Sequence, residues 1–229
     1  SGALDVDALA RALALLAARQ PSLRTRFEAV DGEPWQVVDE RAVPALVVDR
    51  TLAGRPDDAE RAAALAALAR EEFRRPFALD AAPLCRTRLV VLGAEEHVLL
   101  VTCHHTISDG WSGEVLFADL ADCYAAARRG MAPARPAPAT SCLALAARQR
   151  DALDAAHLAT LLDHWRGRLA DLPTLALPTD RVRPATQSFA GARHRFALDA
   201  GPARALAALA RGAGATPFMA LLAAFQVLL

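Results

Sequence analysis

Between Asp5 and Gln20 the apolar residues Leu9, Leu13 and Leu16 recur at three- and four-residue intervals, the spacing that places them on one face of a helix. Asp5 and Asp7 supply acid where a helix begins, and Pro21 cannot extend it. LRTRFEAV and PWQVV then flank Asp31-Gly32, a dipeptide that between two such runs predicts a hairpin. PALVVDR predicts a short strand, and Asp57 to Arg74 returns to helix, with alanine and leucine opposite arginine and glutamate. LCRTRLVVL alternates like a strand, Gly93 to Glu96 turns the chain, and HVLLVTC pairs back as a more fully buried strand.

Trp111 to Arg129 predicts another helix, PARPAPAT (133–140) a proline-rich surface connection, and Leu143 to Leu169 helix in two pieces. LPTLALPTDRVRPA (172–185), with prolines at 173, 178 and 184 and no periodicity, reads as a linker. RHRFALD reads as a strand; helices follow over Pro202–Arg211 and from Pro217 onward, with Gly212 and Gly214 between them. No solenoid-length repeat is present. The expected architecture is mixed α/β, helices on a sheet: a first lobe over 1–171, a linker over 172–185 and the start of a second lobe over 186–229. Ser1-Gly2 leads almost at once into helix, and FQVLL stops on an uncapped apolar run, so the chain is expected to be a fragment of something longer.

Composition narrows the function classes. With 229 residues, 54% of them hydrophobic, the chain can bury a substantial core as one domain or two lobes. Its 26 basic and 26 acidic residues cancel, giving no electrostatic reason to expect nucleic acid or an anionic membrane as partner. Every basic residue is arginine, a mark of base composition more than of mechanism. Cys85, Cys103, Cys123 and Cys142 form no CxxC pair and are expected to be reduced, buried thiols. With no signal peptide and no uncharged apolar run of membrane-spanning length, the expected compartment is the cytoplasm.

The chemistry concentrates in HHTISDGWS (104–112), directly after the strand HVLLVTC. Successive side chains on a strand face opposite ways, so His104 and His105 cannot enter one cavity together. One is expected to be structural and the other to look into whatever opens at the strand end. That divergence argues against a zinc site on the pair, and no further ligands stand out nearby. Asp109 can orient a ring or meet an arginine, Gly110 lets the backbone approach a ligand, and a helix starting at Trp111 would offer its first amides to developing negative charge. Histidine titrates nearest neutrality, as a general base requires. G-x-S-x-G is absent, although Ser108 and Ser112 flank the turn, and Cys103 faces away from His104, so direct attack by an acceptor is favoured over an acyl-enzyme. The residues point to acyl or proton transfer.

HHTISDGWS resembles the HHxxxDG signature of nonribosomal peptide synthetase condensation domains, in the chloramphenicol acetyltransferase-like superfamily. ARQPSLRTRF (18–27) is similar to that family's RHExLRTxF, with Gln20 and Pro21 in place of its histidine and glutamate. The segments 75–105, 177–199 and 214–229 resemble, in order, the stretch before the signature, the bridge between lobes and the first long helix of the second lobe. SCLALAARQR (141–150) keeps little of the family's YxDYAxWQ-like segment beyond Gln149-Arg150.

The resemblance implies an α+β sandwich of two similar lobes, of which this chain carries about half. It implies that His105 is the active-site histidine, in a tunnel reached from both faces by phosphopantetheine arms of donor and acceptor carrier proteins. The acceptor amine attacks the donor thioester, with His105 as general base or as positioning residue. Gly110 would offer its amide to the oxyanion, and His104 would be structural. Asp109 would pair with an arginine, here Arg24, to hold the loop; Trp111 and Ser112 complete the motif. The implied partners are carrier and adenylation domains, with no metal and no cofactor of the domain's own. Epimerization domains share HHxxxDG and are the alternative, though Trp111-Ser112 after DG looks more like condensation. A further alternative is a degenerate domain that recruits partner proteins without catalysis; an ester-forming, stand-alone acyltransferase is a variant of the main reading.

Overall fold

The computed structural model describes residues 2–54, 57–188 and 191–229. The chain divides into two compact units, Ser1–Thr160 and Leu161–Leu229. In the first, helix α1 (Val6–Arg19) is capped by the Asp5 carboxylate, which accepts from the Ala8 amide at 2.8 Å. A 3₁₀ turn over Pro21–Arg24 follows, and it delays the strand expected from Leu23 until Thr25. Strands β1 (Thr25–Val30) and β2 (Glu33–Val38) form the antiparallel hairpin, with Asp31 and Gly32 both at positive φ, 53° and 82°. A glycine at the second of these positions takes that conformation without a Cβ clash.

The central sheet has the order β3 (Leu46–Asp49), β4 (Cys85–Val91), β5 (His97–Cys103), β3 parallel and β5 antiparallel to β4. Its alternating side chains feed two cores. Cys85 and Leu89 face α1 and α3 (Ser112–Arg129), where Leu9, Leu13, Leu16, Leu120 and Cys123 are buried. Val90 and Leu92 face the other way, onto Leu65 and Leu68 of α2 (Asp58–Arg74). Each fully buried leucine contributes about 1.5–3 kcal/mol relative to exposure. β5 is only half-buried along its length, whereas β4 is the deeply buried strand. The expectation of a more buried β5 fails because β5 lies at the sheet edge and β4 at its centre. α3 ends at Gly130, whose φ of 65° is the left-handed conformation that a helix C-terminus favours.

Helices α4 (Cys142–Ala152) and α5 (Ala155–Arg168) are the two expected pieces. The second unit contributes α6 (Ala200–Gly212) and α7 (Pro217–Leu228). RHRFALD, expected as a strand, carries no ladder: a strand needs a partner for its amides and carbonyls, and no described strand lies beside it. The segment 172–185 has neither helix nor strand and is exposed throughout. Among the described residues, no single helix is long and apolar enough to cross a membrane. All four cysteines are free, but Cys142 is exposed, because it opens a helix that buries no residue.

Candidate functional site

β5 ends where its last rung is made. The His104 amide donates to the Leu84 carbonyl at 2.9 Å, and the His104 carbonyl then accepts from the Ile107 amide at 3.1 Å and the Ser108 hydroxyl at 3.2 Å. Those bonds fold residues 104–108 into a tight turn. The His104 ring is half-buried, edge-on to Phe77 with centroids 5.9 Å apart, and the Arg86 guanidinium stacks 3.7 Å from the Phe77 centroid. His104 Nδ1 accepts from the Thr106 amide at 3.2 Å and lies 2.9 Å from the Thr106 hydroxyl. Its neighbour is different. His105 is exposed, with no hydrogen bond to its ring among the described residues, and it lines a cleft of about 240 Å³. The 3₁₀ turn (Ser22), the β1–β2 hairpin (Thr25, Gln36) and the start of α4 (Cys142, Leu143) form the other walls.

Asp109 closes the turn onto α3. One carboxylate oxygen accepts from the Trp111 amide (3.0 Å), the Ser112 amide (2.9 Å) and the Ser112 hydroxyl (2.7 Å), while the Asp109 amide donates to Ser112 Oγ at 3.0 Å. This is a reciprocal helix cap. The Ser112 hydroxyl and amide, then the Trp111 amide, hold the Asp109 carboxyl below the ordinary carboxylate range.

Two expectations are corrected here. Asp109 does not meet Arg24: the Arg24 guanidinium donates to the carbonyls of Ala17 (2.7 Å) and Ala18 (3.3 Å), and Asp109 binds the start of α3. Arg24 lies just past α1, whose last carbonyls lack helical partners and carry the negative end of the helix dipole. Of the amides at the start of α3, those of Trp111 and Ser112 are not free for a ligand, since the Asp109 carboxylate has taken them. It leaves the amide of Gly110, which is exposed, has no positive φ and has open space where a Cβ would stand. Trp111 is 79% exposed, and Ser112 is half-buried beneath the cap.

The same turn borders a second, apolar cleft of about 300 Å³ lined by Leu23, Cys103, Ile107, Trp111, Val115 and Leu116. No group of three metal-ligating side chains occurs among the described residues.

Two buried carboxylates that brace this region escaped the motif reading. Asp119, 4% exposed, accepts from Arg19 Nε at 3.2 Å and from Gln20 Nε2 at 2.8 Å, and Arg135 lies 3.4 Å away. Gln20 therefore has a packing role of its own at the position where RHExLRTxF carries histidine. Glu72, 6% exposed, pairs with Arg86 at 2.6 Å and Arg88 at 3.2 Å, and so stands behind Phe77 and His104. A sequence signal existed for both. Asp119 falls at helical spacing with Leu116 and Cys123, and Glu72 with Leu65 and Leu68, so each is an acid on an apolar stripe. A buried acid requires partners.

A family model described as Condensation domain matches residues 1–229. The chain is 41% identical over 227 residues to phosphinothricin tripeptide synthetase PhsC of Streptomyces viridochromogenes, covering 99% of this chain and 21% of that protein. It is 38% identical over 230 residues to tyrocidine synthase 3 of Brevibacillus parabrevis, covering 100% of this chain and 3% of that one. The crystal structure of the X-domain from teicoplanin biosynthesis superposes with a TM-score of 0.80 at 34% identity, over 93% of this chain and 47% of its own. That X-domain has also been solved in complex with OxyB. The chain thus spans about half the length of that structural relative and a small fraction of the two synthetases.

Proposed function

The chain belongs to the condensation-domain family, and on that premise we propose that it forms amide bonds within a nonribosomal peptide synthetase. An acceptor aminoacyl amine attacks the thioester carbonyl carbon of a donor acyl or peptidyl group, each tethered through phosphopantetheine to a carrier protein. The C–N bond forms, the C–S bond breaks, and the donor arm leaves as a thiol. The acceptor must shed a proton. His105 takes it, or holds the amine against the carbonyl while water takes it; an α-ammonium with an ordinary pKa of about 7.7–8.0 needs little help near neutrality. Holding the reactants in place supplies much of the rate in either case. The Gly110 amide, which the Asp109 carboxylate does not take, is the proposed donor to the oxyanion. Residues 1–171 form the first lobe, 172–185 the connection and 186–229 the beginning of the second lobe. Carrier and adenylation domains are its partners, in the cytoplasm.

One observation carries this reading: His105 stands exposed on the wall of a cleft, on a turn pinned at both ends by His104 and Asp109. The test is His105→Ala in the full-length synthetase. Dipeptidyl product on the downstream carrier should be lost with circular dichroism unchanged, and product at the wild-type rate overturns the assignment. A pH–rate profile of the wild type separates a base from a positioning residue. The likeness to the teicoplanin X-domain favours a second reading, a domain that recruits another protein without condensing. Partner capture that survives His105→Ala, with no condensation in the wild type, would select it.

A further inference from the structure

Outside the cleft, the sheet brings two nucleophilic sulfurs together. Cys85 opens β4 and Cys103 closes β5, and they are direct cross-strand partners, so both thiols project from the same face. The next rung outward is the bond from the His104 amide to the Leu84 carbonyl, which runs straight across the pair. Hydrogen-bonded and non-hydrogen-bonded pairs alternate along an antiparallel ladder, so Cys85 and Cys103 occupy a non-hydrogen-bonded position, where Cα atoms stand about 4.5 Å apart and side chains are closest. A disulfide spans Cα separations of about 4.4–6.8 Å.

We infer that Cys85 and Cys103 are a dithiol that a low-molecular-weight disulfide converts to an intramolecular cross-strand bond, a modification site at the root of the His104–His105 turn. The two sulfurs differ in access. Cys85 is 3% exposed, whereas Cys103 is half-buried and borders the apolar cleft beside Leu23 and Trp111. They differ in acidity in the matching sense. The hydrogen bond with Cys103, and then burial, push the Cys85 thiol far up, while the same bond lowers Cys103. The thiolate, which is the attacking species, therefore forms on the reachable sulfur.

With glutathione disulfide as oxidant, Cys103 Sγ attacks one of its sulfurs, the S–S bond breaks and one glutathione thiolate leaves. Cys85 then gives its proton to solvent, and its sulfur attacks Cys103 Sγ, releasing the second glutathione. Two protein thiols are oxidised and one glutathione disulfide is reduced. Cys123, buried on α3, and Cys142, exposed at the start of α4, have no such cross-strand partner and serve as internal controls.

The full-length protein is treated under native conditions with glutathione disulfide, quenched with iodoacetamide, digested without reductant and analysed by mass spectrometry. The expected product is the Cys85 peptide joined to the Cys103 peptide, two hydrogens lighter than their sum and split by dithiothreitol. In Cys85→Ser, Cys103 should stop as a single glutathione adduct; if that variant does not fold, the wild-type digest still decides. Cys103 capped by glutathione while Cys85 is alkylated in the wild type, or reaction at Cys142 alone, overturns the inference.

Discussion

Units Ser1–Thr160 and Leu161–Leu229 both carry helices that pattern well in sequence, yet the structure treats their apolar faces oppositely. In α1, Leu9, Leu13 and Leu16 are 5%, 3% and 2% exposed, packed among residues of α3 and β4. In α7, Phe218, Val227 and Leu228 are 71%, 89% and 80% exposed, and Ala210 of α6 is the sole buried residue of the second unit among those described. Helical periodicity is thus sufficient to form the helix in both places. Burial depends on something periodicity does not carry, a surface to pack against. The same distinction accounts for β4 and RHRFALD: one has strands on both sides, the other has none among the described residues.

The first unit adds buried ion pairs to its core, and breaking one should have the largest effect on stability. Asp119→Ala strips the shared acceptor from Arg19, Gln20 and Arg135, where the Arg19 and Asp119 side chains are 9% and 5% exposed. Losing one side of a buried pair costs about 3–5 kcal/mol. Urea denaturation of the 229-residue chain should show that loss in midpoint at unchanged slope. A change below about 0.5 kcal/mol would mean that α1 and α3 are held by apolar packing alone. Glu72→Gln tests the second hub: it removes the charge that Arg86 and Arg88 share, leaving Arg88 only its pair with Asp49, and since Arg86 stacks on the ring that His104 abuts, it should also alter the His104 imidazole signals in an NMR spectrum.

Much of this region was legible because its signals are local. The Asp-Gly hairpin, strands β4 and β5 and the helices of the first unit follow from spacing and punctuation, whereas the different settings of His104 and His105 come from the turn over 104–108, since β5 ends at Cys103. The partners of Asp109 and Arg24 were not legible. Both choices were settled by short-range competition: orphan amides two and three residues from Asp109, and orphan carbonyls six and seven residues from Arg24, were nearer than the two side chains were to each other. A motif names which charges are present; unsatisfied backbone groups decide where they go. The edge position of β5 was hidden for another reason, since strand order depends on which segments pair and each strand's own residues are silent on that.

The Asp109 cap is a smaller contribution and carries a pH signature. Its carboxyl is held below the ordinary range, so the stabilisation is complete above the unfolded value of about 3.9 and is lost as pH falls through the lowered native value. Asp109→Ala should reduce the melting temperature modestly at pH 7, and the gap from wild type should narrow as pH falls below that unfolded value. A gap that persists there would show that the cap's bonds are not what the carboxylate supplies. Asp109→Asn keeps an oxygen for the Trp111 and Ser112 amides and should recover part of the loss.

The smallest effect is expected in the second unit, and there it depends on which protein is measured. Phe218 lies at the start of α7 with 71% of its surface in solvent. In the 229-residue chain Phe218→Ala should change stability by less than about 0.5 kcal/mol, the ordinary range for a surface position. The relatives are longer than this chain, and in a protein carrying that further length a covering surface would convert the same substitution into a core deletion costing about 3–5 kcal/mol. Paired melts of the two proteins measure the difference directly. A large loss in the short chain means that α7 already has a partner there; equal small losses in both mean that its apolar face stays open to solvent, and that the contrast between the units belongs to the domain itself.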